Sequence, residues 1–108
     1  MNNFQRISVQ TAKELIDTAP VTKIVDIRDP QSFQMGRMTQ AQHLTNDNVQ
    51  QFITQTEKSL PIIVCCYHGN SSQGAADFIA QQGFEQVYSL DGGFEEWEAK
   101  YPELTERS

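Results

Sequence analysis

The sequence predicts an α/β fold in one domain, with a largely parallel sheet and helices on both of its faces. Two observations carry this. The short apolar runs Lys23–Ile27, Leu60–Cys65 and Gln86–Leu90 are rich in Ile and Val and read as buried strands. Stretches with apolar residues at helical spacing alternate with them, and strands alternating with helices at this spacing form parallel sheets joined by helical crossovers. A length of 108 residues fits one domain able to bury its own core, and no linker, internal repeat or low-complexity segment interrupts it.

In chain order, Ile7-Ser8-Val9 is expected as a short edge strand. Ser8 or Gln10-Thr11 caps a helix carrying Ala12, Leu15 and Ile16, which Pro20 ends. After the strand Lys23–Ile27, Asp29-Pro30 is a helix start, with aspartate as N-cap and proline at the first helical position, and Gly36 stops that short helix. Gln42-His43-Leu44 reads as another short strand. Asn46 then opens a helix that buries Val49, Phe52 and Ile53. The run Leu60–Cys65 leads through a polar loop into a helix that includes Gln73–Ile79, with Gly83 as its C-cap. Gln86–Leu90 is the last strand, and Asp91-Gly92-Gly93 turns into a helix with Phe94, Trp97 and Tyr101 on one face. Pro102 ends the structured part, leaving residues 102–108 as a polar tail expected to fray.

Composition excludes several classes. The net charge of −6 disfavours nucleic acid, whose phosphates are held by clustered Lys and Arg. From Glu85 onward seven acids face two bases, so the acidity gathers near the C-terminus. No apolar run approaches the roughly 20 residues of a membrane span, and the N-terminal residues lack the pattern of a signal peptide, so a cytoplasmic location is expected. The only cysteines, Cys65 and Cys66, are adjacent. They cannot staple distant segments and lack zinc spacing, so reduced thiols and no metal are expected.

The chemistry concentrates in Cys66-Tyr67-His68-Gly69-Asn70-Ser71-Ser72. A loop between a buried strand and a helix gathers backbone N–H groups and the positive end of the helix dipole at one point, and a cysteine stands there. Such surroundings lower a thiol pKa from its free value of about 8.5, making Cys66 the candidate nucleophile. Gly69 and Asn70 tolerate the positive φ that curls N–H groups inward. The loop holds no Arg or Lys, so activation falls to peptide dipoles. Its shortness favours a cradle around one large atom over one around a phosphate.

The segments CYHGNSS, DIRDPQSFQMG and VYSLDGGFEEW together resemble the rhodanese domain, in particular its single-domain thiosulfate sulfurtransferases, across about residues 4 to 101. The resemblance implies a five-stranded, mostly parallel sheet and ping-pong sulfur transfer without a cofactor. In that scheme the Cys66 thiolate attacks the outer sulfur of thiosulfate, sulfite leaves, and cyanide or a small thiol takes the sulfur from a Cys66 persulfide. The resemblance also makes thioredoxin-like dithiols candidate acceptors and the amides of Tyr67 through Ser72 the binding loop. Many rhodaneses carry arginine where this chain has Ser71, which implies weak thiosulfate binding here. A common Gly-His pair stands as Gly36-Arg37.

Other readings of the same residues lead elsewhere. A persulfide carrier serving one protein partner would share the loop, and so in part would a cysteine-loop phosphatase or arsenate reductase. Those last loops are longer and end in arginine. Cys65 continues the strand and points away from its neighbour, which suits core packing. His68 is expected to orient or face solvent, and His43 to be structural. Asp26 and Arg28, alternate residues at a strand end, are expected as an ion pair bracing the loops. Gly92-Gly93 allows close backbone approach, and Phe94 and Trp97 anchor the core.

Overall fold

In the computed structural model, which describes residues 3–108, the predicted alternation is realised around a five-stranded sheet. The elements are β1 (Phe4–Ile7), α1 (Val9–Thr18), β2 (Lys23–Asp26), α2 (Pro30–Met35), β3 (Arg37–Met38), β4 (Gln42–His43), α3 (Val49–Gln55), β5 (Ile62–Cys65), α4 (Ser71–Gln81), β6 (Val87–Leu90), α5 (Gly93–Lys100), a 3-10 turn (Pro102–Leu104) and β7 (Thr105–Glu106). The main sheet runs β1-β6-β5-β2-β4 with every pairing parallel. β5 is its centre and is buried along its whole length.

Alternation along the strands sorts the core into two layers. Ile63 and Cys65 of β5 and Ile24 of β2 face one side, where they meet Val9 and Ala12 of α1 and Phe94 and Trp97 of α5. Ile62 and Val64 of β5 and Val25 of β2 face the other, against Phe52 of α3 and Ala76, Ile79 and Ala80 of α4. Cys65 is therefore a core residue of the α1/α5 layer, as its place in the strand implied. In the chain, β2 is followed by β4 on one side and then by β5 on the other, so the connections after β2 and β5 diverge at the carboxyl edge of the sheet. Parallel α/β sheets place their ligands at such a point.

Local chemistry explains the boundaries. The Ser8 side chain accepts from Thr11 N at 3.1 Å, so Ser8 caps α1 and the edge strand lies at Phe4–Ile7, not at Ile7–Val9. Asp29 caps α2 through Ser32 N at 3.0 Å, with Pro30 in the first turn and Gly36 at the end, as expected. Helix α3 begins at Val49 with Asn48 as its cap residue, later than Asn46. There the Asn48 amide accepts from Thr45 N at 2.8 Å and donates to His43 O at 2.9 Å, which fixes the loop before the helix. Gly83, with φ +100°, follows the actual α4 cap, Gln82.

The segment after Pro102 departs from expectation. It is not frayed: β7 pairs antiparallel with β3, and Leu104 O accepts from Trp97 Nε1 at 3.2 Å and from Thr39 N at 3.0 Å. Arg37 reaches Glu106 Oε1 at 3.5 Å and donates to Ser108 Oγ at 3.0 Å. Part of the C-terminal acidity is thus spent on a contact with Arg37. Among the described residues, no helix is long and apolar enough to cross a membrane.

Candidate active site

Strand β5 ends at Cys65, and the next residue turns out of the sheet into the loop that opens α4. Cys66 is only 2% exposed. Its Sγ accepts from Gly69 N and from Ser72 N, each at 3.2 Å. Gly69 makes this curl possible with φ +96°, and a β-carbon there would meet Gly92 N at 2.9 Å. Asn70 does not share the left-handed conformation: its φ is −90°, because one positive-φ residue suffices to turn the loop into α4. The Gln73 side chain donates to Gly69 O at 3.0 Å and closes the turn from the helix side.

Two opposing effects act on the Cys66 thiol. Burial pushes its pKa up, but the Ser72 hydroxyl and N–H and the Gly69 and His68 N–H groups stabilise the thiolate, and the net shift is below the ordinary value. The neighbouring Cys65 shows the contrary case. Buried in the core beside Asp26, it has its thiol pushed well above that value. The two adjacent thiols are thus shifted in opposite directions, because only Cys66 faces the N-terminus of α4.

The remaining loop residues divide by exposure. Tyr67 is 42% exposed and its hydroxyl bonds the Asp29 carboxylate. That contact, with the Ser32 hydroxyl and N–H, holds Asp29 well below the usual carboxylate range. His68 is exposed, with Nδ1 3.6 Å from Glu95 Oε1. Asn70 and Ser71 are exposed, while Ser72 is fully buried and shares a 2.8 Å hydrogen bond with the Ser89 hydroxyl on β6. Sequence reasoning passed over Ser89. The available signal was a lone hydroxyl inside the apolar run Val87–Leu90.

A second helix meets the loop from the other side. Phe94 N donates to Cys66 O at 2.8 Å and Glu95 N to Tyr67 O at 3.2 Å, so the unpaired first-turn N–H groups of α5 are satisfied by the loop's own carbonyls. Gly93, at φ +59°, permits this approach: a β-carbon on it would lie 2.5 Å from Cys66 O and from Tyr67 O. The close approach foreseen for Gly92-Gly93 is therefore made against the cysteine loop. Beneath it, Arg28 pairs with Asp26 at 2.8 Å, both side chains buried, and donates to Gly36 O at 2.6 Å. His43 Nε2–H donates to Arg28 O at 2.6 Å and the ring stacks on Phe33, a structural role as expected.

A buried cysteine cradled by backbone amides at the carboxyl edge of a parallel sheet defines a cysteine-loop α/β protein, and the chain belongs to the rhodanese-like domain family, which it matches over residues 8–100. More particular relatives share almost its full length. It is 53% identical over 105 residues to the thiosulfate sulfurtransferase GlpE of Ectopseudomonas mendocina, covering 97% of this chain and 94% of that one. To the GlpE of Tolumonas auensis it is 51% identical, covering 94% and 95%. Among solved structures, the rhodanese-like domain of an Anabaena protein superposes with a TM-score of 0.82 at 26% identity, over 95% of this chain and 79% of that one.

Proposed function

We propose that the protein is a thiosulfate sulfurtransferase in which Cys66 carries the sulfur as a persulfide. The observation that supports this most directly is the pair of amides, from Gly69 and Ser72, aimed at a buried sulfur whose thiolate form they favour. The Cys66 thiolate attacks the outer sulfur of thiosulfate. The S–S bond to the sulfonate breaks, sulfite leaves with the electron pair, and a Cys66–S–S⁻ persulfide remains. The anionic sulfur is held by the inward-facing amides of the loop from Tyr67 to Ser72, as oxyanion holes hold developing charge.

Acceptance reverses the geometry. Cyanide or a thiol attacks the outer sulfur and the Cys66 thiolate leaves, stabilised by the same two amides. No cofactor enters this cycle. A thioredoxin-like dithiol fits the acceptor role chemically, since its thiolate can attack in the same line. A Cys66 thiol that must stay reduced to attack thiosulfate suits a reducing, cytoplasmic setting.

The test is mass spectrometry after incubation with thiosulfate. The peptide containing Cys66 is expected to gain one sulfur, about 32 Da, and to lose it on adding cyanide. Full sulfur transfer by Cys66→Ser would overturn the mechanism.

A further inference from the structure

The hydroxyl of Ser89 has no part in the cycle above, yet it stands where an apolar side chain is expected. Strand β6 reads Val87-Tyr88-Ser89-Leu90 and pairs with β5 on one side and β1 on the other. Alternation turns Val87 and Ser89 to the face covered by α3 and α4, and Tyr88 and Leu90 to the face covered by α1 and α5. Ser89 is fully buried there, level with Val64 of β5. A hydroxyl in that place costs stability unless it is hydrogen-bonded.

Its partner is Ser72. The two Oγ atoms lie 2.8 Å apart, and this is the one side-chain hydrogen bond of Ser89 among the described residues. Ser72 is the second residue of α4, and its amide is one of the two that hold the Cys66 sulfur. Asn70, the residue before the helix, gives the first turn no side-chain cap. Ser72 is therefore held from two sides, by the sulfur at its amide and by β6 at its hydroxyl. Each hydroxyl has one proton to give. If Ser72 donated to Ser89, the Ser89 proton would be left in the core without an acceptor. With Ser89 donating to Ser72 both protons are used, because the Ser72 proton is then free for the Cys66 thiolate, which the Ser72 hydroxyl stabilises.

We infer that Ser89 is a positioning residue of the sulfur site: its hydroxyl donates to Ser72 Oγ, turning the Ser72 proton toward Cys66 Sγ and holding the Ser72 amide in line with the same atom. In the sulfur transfer proposed above, this chain of hydroxyls favours the anionic sulfur at both ends of the cycle, the attacking thiolate and the leaving one. That use in catalysis rests on the sulfurtransferase reading. The charge that the pair favours at Cys66 does not.

The charge at Cys66 is read by the pH midpoint of its alkylation with iodoacetamide, which needs no sulfur donor. Ser72→Ala is expected to raise the midpoint by about one pH unit and Ser89→Ala by about half a unit, the latter leaving about threefold less thiolate below both midpoints. In the double variant Ser72→Ala/Ser89→Ala the midpoint is expected to equal that of Ser72→Ala, because Ser89 acts through Ser72. Ser89→Thr and Ser89→Val share one shape and differ in the hydroxyl, so the threonine variant is expected to stay nearer the parent midpoint. The titratable groups around Cys66 are the same in all of these: Cys65 in the core beside Asp26 and Arg28, and His68 and Glu95 on the exposed side. An unmoved midpoint in Ser89→Ala, a double variant shifted by the sum of the single shifts, or equal midpoints for the threonine and valine variants would each overturn the inference. Thiosulfate loading below the midpoint, followed by mass, is expected to slow about twofold in Ser89→Ala, less than the loss of thiolate because a more basic thiolate is the better nucleophile. A protein that alkylates as expected but never takes up sulfur at Cys66 would overturn the sulfurtransferase reading, and with it the part of Ser89 in catalysis.

Discussion

Substituting Gly93 by alanine tests whether α5 positions the cysteine loop. The residue has φ +59°, where a β-carbon costs about 1–2 kcal/mol through contact with the backbone. The new methyl would also lie 2.5 Å from Cys66 O and Tyr67 O, which are backbone atoms and cannot rotate away. Relieving that overlap requires α5 and the loop to separate, at a further ~1–3 kcal/mol. The combined loss of about 2–5 kcal/mol is a large share of the ~5–15 kcal/mol that holds a domain together, and corresponds to a fall in Tm of at least about 8 °C. Displacing the loop should also slow sulfur uptake, since misplacements of ~1 Å cost about a hundredfold in catalysis. Two controls separate the causes. Gly83→Ala has the positive φ, +100°, but nothing within 4 Å, and should lose only about 1–2 kcal/mol. Gly74→Ala, inside α4 with open space around it, should gain about 0.5–1 kcal/mol. Urea denaturation and persulfide loading measure all three. If Gly93→Ala matched Gly83→Ala in stability and loaded sulfur at the normal rate, the coupling of α5 to the loop would be refuted.

Three further outcomes follow from the site. Because the folded state lowers the Cys66 pKa, alkylation by iodoacetamide should reach half its maximal rate at a lower pH than in the urea-unfolded chain; Ser72→Ala should move that midpoint upward. The same shift stabilises the fold at pH above the unfolded thiol's value and is lost as pH falls through the folded one, so Ser72→Ala should lose most stability on the alkaline side, as pH-dependent urea melts would show. Asp26→Asn leaves the Arg28 guanidinium buried and uncompensated and should cost about 3–5 kcal/mol by urea denaturation. His68→Ala removes a side chain that is 61% exposed, so kcat/KM for thiosulfate should change by less than about threefold, against complete loss in Cys66→Ser.

The strands and the loop were legible because their signals are local. An Ile/Val run needs no partner to declare itself, and Asp29-Pro30 and Gly36 mark the ends of α2 by backbone chemistry alone. The loop was legible for the same reason: a cysteine between an apolar strand and a Gly-containing turn already implies converging amides. What escaped was tertiary. Strands β3 and β7 are two residues each and carry no periodicity; they pair where Leu104 O is held by Thr39 from a distant part of the chain and by Trp97 of the preceding helix. Asn70 could have adopted positive φ, and only the observed curl at Gly69 shows that it need not. Gly92-Gly93 announced a close approach without saying to what. Ser89 looked like any strand residue until the Ser72 hydroxyl was found against it.

The hydrogen bond from Phe94 N to Cys66 O gives the site an outside observer. The Phe94 amide belongs to α5 and not to the loop whose amides hold the sulfur, yet its acceptor is the carbonyl of the residue that carries it. A change of charge at Sγ polarises that carbonyl, and the amide proton registers it as a chemical shift and an exchange rate. Sulfur loading can thus be followed by NMR at a backbone position that leaves the thiol free of any label, and the empty and loaded forms can be counted in one sample.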